Sequence, residues 1–334
     1  MGLLRGAIAG CGFFGQFHIE GWRRIPEASL VAACDPDLAR AQAAAPAAYA
    51  DFETMLDEVK PDFVDIATRP ELHLPMVRAA AERKIPIICQ KPMAPSWADC
   101  VEMVRCVESA GVPFMIHENW RWQAWYRIIG EQIRSGIMGA PVTYTFRTRK
   151  RDGVGPEPYV LQPYFRNMPR LLLFETLVHH IDTARFLFGD LRTIYAQLRR
   201  VNPVIQGEDQ AHLVVTHESG LSGLIDGNRF TDLAPDSPPL GDASFEFENG
   251  CLGVTATGDV FRNSVEILWK NDITIGYRGD SVRATSQHFV QTLLSGGQFE
   301  SNGLDYLKTV AAVEAGYRSN AEGRPITIPT DFGL

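Results

Sequence analysis

Lys91, Glu175, His179 and Asp182 have the side-chain types that proton transfer at a hydroxyl-bearing carbon needs. Glu175 and His179 lie four residues apart and Asp182 three further on, so a helix through this stretch sets all three on one face. A histidine held by carboxylates keeps one ring nitrogen free to take the proton of an alcohol, the step that accompanies loss of hydride. The helix is expected over 169–189, and its apolar residues on either side of the polar ones, Leu171-Leu172-Leu173-Phe174 and Ile181 among them, predict burial. Two other readings of the helix stay open. His179 is equally a core histidine satisfied by Asp182, and Glu175, His179, His180 and Asp182 are equally metal-ligand types. Adjacent histidines on a helix point about 100° apart, so no metal is expected.

Lys91 stands in Gln90-Lys91-Pro92, directly after the apolar run 86–89. In an open parallel sheet ligands bind beyond the carboxyl ends of strands, and proline holds the residue before it extended, which aims Lys91 at such a crevice. Taken alone, a lysine there is a solvated charge.

The hydride needs an acceptor, and Gly10-Cys11-Gly12-Phe13-Phe14-Gly15 follows the apolar stretch 3–9 as a G-x-G-x-x-G pattern. Its glycines suit a tight turn, a close approach of backbone to pyrophosphate and tight helix packing, with the backbone of Phe13 and Phe14 at the phosphates. A second apolar run, 29–34, ends on Asp35, about 20 residues beyond the third glycine, where a carboxylate accepts ribose hydroxyls and repels a 2′-phosphate. NAD is therefore expected over NADP, although Arg40 one turn away weakens the exclusion. The alternative is that Asp35-Pro36-Asp37 is a polar turn.

These groups have to be positioned, and the order of segments says how. Apolar runs at 63–68, 86–89 and 113–117 alternate with helical stretches at 74–83 and 97–110, the second stopped by Gly111. That rhythm predicts a parallel sheet in a Rossmann domain over residues 1–120. Residues 121–334 change texture. A helix at 128–134 precedes alternating strands at 141–147, 212–216, 221–226, 243–248 and 264–269, with a loop over 233–241 and helices at 287–294 and 306–320. The expectation is an α+β domain on a large, mostly antiparallel sheet, whose open face makes a homodimer or homotetramer.

At 334 residues the chain exceeds one ordinary core, and a net charge of −8 with mixed signs argues against nucleic acid or an anionic membrane as partner. The basic run 147–151 is expected as a solvated strand end. There is no run long enough to span a membrane and no secretory leader, so the cytoplasm is expected. Six scattered cysteines suggest reduced core thiols rather than disulfides.

Taken jointly and in this order, the glycine fingerprint, Gln90-Lys91-Pro92 and the Glu175, His179, Asp182 helix resemble the Gfo/Idh/MocA oxidoreductases, over almost the whole chain. The resemblance implies an NAD-dependent dehydrogenase of a sugar, polyol or sugar acid. It places Lys91 at the reacting carbinol and the nicotinamide ribose, makes His179 the proton acceptor with Glu175 beside it, and puts Thr68 at the adenosine half. His73 is expected to buttress a turn. By the same resemblance Asn119, Trp120, Arg121 and Trp122 approach nicotinamide and substrate, with Arg166, Asn167, His180 and Arg229 as further pocket candidates; singly, each arginine is more often a surface or inter-strand charge.

Two departures stand out: Gln90 occupies a place usually held by glutamate, and Glu175 one that is aspartate in many members. The tryptophan-rich segment and the histidine helix resemble a branch that includes pentose oxidation. A binding-only regulator or sensor of the same fold is the alternative function.

Overall fold

The computed structural model describes residues 2–234, 236–272 and 275–334; of the loop expected over 233–241, Pro235 lies outside them. Two compact units result. One runs to Trp122 and takes in Ile275–Leu307 and Asp331–Leu334; the other begins at Gln123, pauses at the return to Ile275, and ends with Lys308–Thr330.

The first unit is built on six parallel strands: Leu4–Ala9 (β1), Ala28–Cys34 (β2), Ala47–Tyr49 (β3), Phe63–Ile66 (β4), Ile87–Gln90 (β5) and Phe114–His117 (β6). Their order, β3-β2-β1-β4-β5-β6, is that of a Rossmann sheet. The strands β4, β5 and β6 are buried throughout because helices cover both faces. Those helices include Gly15–Trp22 (α1), Leu38–Ala44 (α2), Phe52–Val59 (α3), His73–Glu82 (α4) and Trp97–Ala110 (α5). Ser96 caps α5 by accepting from the Asp99 N–H, and Gly111 closes it at φ 64°, as the sequence suggests.

A single cut at residue 120 misses a return of the chain. The helix Ser281–Ser295, later in sequence, carries Phe289 and Val290 into a core with Trp22, Phe63, Ile88 and Met115. Nothing local marks that docking, since an amphipathic helix does not say which sheet it covers. The three-residue, alanine-rich β3 and its flanking helices were likewise too short and small to register as a pattern.

The second unit opens with Ala124–Arg134 (α6) and Pro141–Arg149 (β7), then a π-helical turn at Leu172–Leu177 leading into Val178–Phe188 (α7). The remaining strands are Leu191–Arg199 (β8), Gln210–His217 (β9), Ser222–Asn228 (β10), Gly241–Phe247 (β11), Gly250–Val254 (β12), Val260–Arg262 (β13), Glu266–Trp269 (β14) and Ile326–Thr327 (β15). They form a nine-stranded sheet ordered β14-β13-β12-β11-β7-β10-β9-β8-β15. Only β7 and β10 pair in parallel; the other pairs are antiparallel.

Alternation sorts the two faces. Tyr144, Phe146 and Thr148 of β7 are buried, whereas Arg147 and Arg149 point outward and pair with Asp242 of β11 and Asp226 of β10. The basic run is thus half of a cross-strand charge ladder, with His212 of β9 3.2 Å from Asp226. The later helices Ser281–Ser295 (α8) and Gly303–Glu322 (α9) complete the chain, and α9 is divided between the units after Leu307. Among the described residues no helix is long and apolar enough to cross a membrane, and the six cysteines are free thiols.

Candidate active site

The glycine-rich turn after β1 shows three separate needs. Gly10 sits at φ +93°, and a Cβ there would lie 2.6 Å from the Ala67 carbonyl oxygen. A Cβ on Gly15 would lie 2.1 Å from the Gly10 carbonyl oxygen, so the start of α1 rests directly on the turn. A Cβ on Gly12 would meet nothing within 4 Å. The turn is therefore tight below and open above, and no side chain caps α1. This is the form a pyrophosphate requires.

Asp35 closes the same turn. Its Oδ2 accepts from the Cys11 N–H at 2.8 Å and its Oδ1 from the Asp37 N–H at 2.9 Å, which places the carboxylate beside the glycine turn with further lone pairs for ribose hydroxyls. Phe13 is 53% exposed, while the Phe14 ring is half-buried and packs edge-on against Tyr277 at 5.3 Å. Thr68 lies just beyond the end of β4 and makes long contacts through its hydroxyl, at 3.5 Å to the Arg69 carbonyl and 3.7 Å to Met76 Sδ. His73 lies with its ring nitrogens 3.1 Å from the Thr68 carbonyl and 3.0 Å from that of Met93, buttressing the turn as expected.

Beyond β5, the Lys91–Pro92 peptide bond is cis. The Lys91 N–H donates to Gln90 Oε1 at 2.6 Å, and the other end of that amide, Nε2, lies 2.8 Å from His18 Nε2. His18 Nδ1 in turn lies 2.7 Å from Asp65 Oδ2, which also accepts from Trp22 Nε1 at 2.7 Å. Burial alone would push the Asp65 carboxyl up, but His18 and the hydrogen bonds outweigh it and hold the group below its ordinary value.

The stretch after β6 is pinned from the same unit. Asn119 Nδ2 donates to Ser281 Oγ at 2.8 Å, Arg121 Nη1 to the Glu300 carbonyl at 2.8 Å, and the Trp122 ring lies 4.6 Å from that of His288. Trp120 is buried, with the Arg278 guanidinium 5.8 Å from its ring. Glu118, which no sequence motif singles out, is fully buried and accepts from the Trp120 N–H and the Tyr306 hydroxyl, both at 3.0 Å. Burial raises its carboxyl; Lys91, near enough to act on it, and Arg121 pull the other way without cancelling that. Its only signal in sequence was an acid directly behind a buried strand.

In the second unit the expected continuous α-helix over 169–189 is corrected. The backbone is π-wound over Leu172–Leu177 and becomes α-helical only at Val178, so Glu175 precedes the α-helix on which His179 and Asp182 stand. The cause lies upstream in space. Glu208 Oε1 accepts from the Leu173 N–H at 3.0 Å and from the Tyr317 hydroxyl at 2.7 Å, and its carbonyl accepts from the Leu172 N–H at 3.0 Å. Glu208 was not foreseen, because nothing in its neighbourhood relates it to a segment 35 residues away.

Around this turn Glu175 is half-buried and accepts from the Thr176 hydroxyl at 2.7 Å. Arg229 donates to Thr176 Oγ1 at 3.2 Å, pairs with Asp152 at 2.9 Å and lies over the Tyr159 ring at 5.4 Å. Its guanidinium is a buried brace. Burial raises the Asp152 carboxyl despite Arg229 and Lys150, and Glu175 adds to the rise. The loop over 152–163 is organised by this brace and by Asn202, whose Nδ2 donates to the carbonyls of Gly153 and Gly155 at 2.8 Å.

His179 is buried in the first turn of α7, and Asp182 Oδ1 accepts from the Thr309 hydroxyl at 3.1 Å. His180 faces the sheet, 3.3 Å from Thr148 Oγ1 and with its ring 5.2 Å from that of Phe146. Burial and then the neighbouring His179 push it down to about 3, and the ring packs against the sheet. Arg166 is committed to the Pro158 carbonyl at 2.8 Å and Glu157 at 2.6 Å, and Asn167 is exposed at the end of a short turn; neither joins the Glu175 cluster.

Comparison with known proteins agrees with this geometry. Residues 4–118 match the model of an oxidoreductase family with an NAD-binding Rossmann fold, and residues 126–238 match the C-terminal domain of the same Gfo/Idh/MocA family. The chain is 34% identical to a protein of Rhizobium rhizogenes named D-apiose dehydrogenase, over 97% of each chain. It is 36% identical to one of the same name from Paraburkholderia graminis, over 97% of this chain and 89% of that one. An oxidoreductase structure from Agrobacterium radiobacter, in complex with NAD+, L-tartaric acid and magnesium, superposes with a TM-score of 0.83 at 33% identity, covering 97% of this chain and 98% of that one. Nothing among these relatives favours the binding-only alternative. The chain belongs to the Gfo/Idh/MocA family of oxidoreductases, and its first unit carries the family's NAD-binding Rossmann fold.

Proposed function

We propose that this chain oxidises a hydroxyl-bearing carbon of a small sugar, with D-apiose the first substrate to test and NAD as the partner. The carrying observation is that Lys91, fixed through Gln90 at the end of β5, and a buried His179 behind a π turn both occur in a chain about one-third identical to two D-apiose dehydrogenases.

In this reading His179 takes the hydroxyl proton on its ring. The Lys91 ammonium orients the substrate oxygen and stabilises the negative charge that grows on it. Glu175, held by Thr176 above the Arg229 brace, accepts from a second hydroxyl and so helps fix which carbon reacts. Gly10, Gly12 and Gly15 hold the pyrophosphate and Asp35 the adenosine ribose. NAD, when bound, supplies the two-electron acceptor that takes the hydride from the carbinol carbon. We further assign the chain to the cytoplasm and to a homodimer or homotetramer formed through the outer sheet face, where Val214 and Leu224 stand exposed beside the charge ladder.

The test is purified protein with NAD or NADP against D-apiose, other pentoses, inositols and sugar acids, followed by nicotinamide absorbance. Turnover of D-apiose with NAD is the expected result. Ligands that raise the Tm without any reduced nicotinamide from any member of the panel would overturn the enzyme reading.

A further inference from the structure

The chain of contacts from Lys91 to Asp65 fixes where its protons are. A backbone N–H can only donate, so the Gln90 amide end 2.6 Å from the Lys91 nitrogen is its oxygen. The end facing His18 Nε2 at 2.8 Å is then the NH2, and His18 Nε2 has to accept. That leaves the ring proton on Nδ1, donated to Asp65 Oδ2 at 2.7 Å. Exchanging the amide ends would set donor against donor at Lys91.

We infer that Gln90 is a positioning residue, a two-ended tether that holds the Lys91 backbone to His18 and keeps His18 neutral as its Nδ1–H tautomer. The kinetic part of this inference rests on the dehydrogenase reading above; the structural part does not. A carboxylate at position 90 can serve Lys91 but has no proton of its own to give His18, so glutamine and glutamate are not equivalent here.

Titratable groups reach this ring from several elements. Asp65 comes from β4 and His117 from β6, whose ring lies 4.1 Å from that of His18. The Asp65 charge also acts on the thiols of Cys11 and Cys89, which burial chiefly pushes up. Burial pushes His117 down to about 3, so a neutral ring lies against His18, tilted by 34°. The site is fully buried. With His18 neutral as well, the Asp65 charge is met by two N–H donors on Oδ2, while its Oδ1 has no hydrogen-bond partner among the described residues.

The experiment uses the full chain and two variants, Gln90→Met, which keeps the volume, and Gln90→Glu, which keeps only the acceptor. Histidine ring nitrogens are read by NMR without substrate, with His18 assigned by its loss in His18→Asn. The wild type is expected to show His18 protonated on Nδ1 and bare on Nε2 at neutral pH; an Nε2–H tautomer or an imidazolium would overturn the tether. Hydrogen exchange of the Lys91 amide should quicken at least about tenfold in Gln90→Met and stay slow in Gln90→Glu. Equal protection in wild type and Gln90→Met would equally sink it. With NAD and sugar, Gln90→Met should lower kcat about 10- to 100-fold with KM within about twofold, and Gln90→Glu should recover part of the loss. An unchanged kcat in Gln90→Met removes the positioning role. A wild type that turns over no sugar breaks the dehydrogenase reading, while the NMR and exchange results still decide the tether.

Discussion

The Lys91 array in the first unit and the His179 array in the second carry polar groups that are buried to a similar degree, but they are held in opposite ways. Lys91 is set by its neighbour Gln90 and by His18 and Asp65, three side chains standing on consecutive layers of one parallel sheet and its first helix. His179 follows a backbone distortion that Glu208 holds through the Leu173 N–H and Arg229 through the Thr176 hydroxyl, while Thr309 holds Asp182 on the same helix as His179. Damage to the first array should therefore displace one side chain, whereas damage to the second should displace a helix.

The largest effect breaks both arrays at their working ends. Lys91→Ala and His179→Ala should each lower kcat by about 10²- to 10⁴-fold, while NADH binding, read by fluorescence, stays near wild type. Near-normal turnover in either variant would take that array out of the reaction.

Next comes the clamp. Glu208→Ala deprives the Leu173 N–H and the Tyr317 hydroxyl of their acceptor, a loss of about 1–3 kcal/mol for a buried group left unsatisfied. The Tm should fall by about 2–4 °C per kcal/mol, and kcat should fall with it because His179 moves with its helix. Gln90→Met also strips two partners, those of the Lys91 N–H and of buried His18 Nε2, so its Tm should fall as well. The variants should differ in extent, hydrogen exchange quickening around Lys91 in Gln90→Met and along a whole helix in Glu208→Ala. If exchange showed both variants loosening segments of the same length, the proposed difference between the arrays would be gone.

Asp35→Ala touches only the cofactor side. Its carboxylate braces the glycine turn through Cys11, so NAD should bind about tenfold more weakly, about 1.4 kcal/mol, and discrimination against NADP should narrow. An unchanged NAD Kd by titration would remove Asp35 from the site.

The same contrast explains what the sequence made legible. Gly10, Gly12, Gly15 and Lys91 follow from local rules, a turn needing positive φ and a strand end in a parallel sheet, and they stand where those rules put them. The α-helical spacing that relates Glu175, His179 and Asp182 holds for His179 and Asp182 on α7 but not for Glu175, which stands in a π turn whose Leu173 N–H donates to Glu208, a residue that no window around Glu175 contains. His180 shows the cost of reading by adjacency, since one residue along a helix turns the ring from one side to the Phe146 side. Gln90 looked like a lost charge beside Lys91; its meaning emerged only when His18, 72 positions away, supplied the partner.

The smallest effect compares the two units by acidity. His117 in the first unit and His180 in the second are both buried and both pushed down to about 3, whereas an unfolded histidine titrates near 6.5. Between those values the unfolded chain binds protons that the native chain refuses, so unfolding free energy rises with pH across the window. The stability these rings contribute is complete above about 6.5 and is lost as pH falls toward 3, by at most about 1.4 kcal/mol per pH unit for each ring. Wild-type Tm should thus decline from pH 7 to pH 4.5. His180→Gln, which stays uncharged at every pH, should flatten that decline, and His117→Gln should do the same by the same sign. The carboxylates contribute equally to wild type and variants, so the difference in slope isolates the imidazoles. If the units unfold separately, each substitution should flatten only its own transition in a calorimetric scan, His117→Gln the Rossmann unit and His180→Gln the sheet unit; variants that keep the wild-type slope would show that neither ring resists protonation in the folded chain.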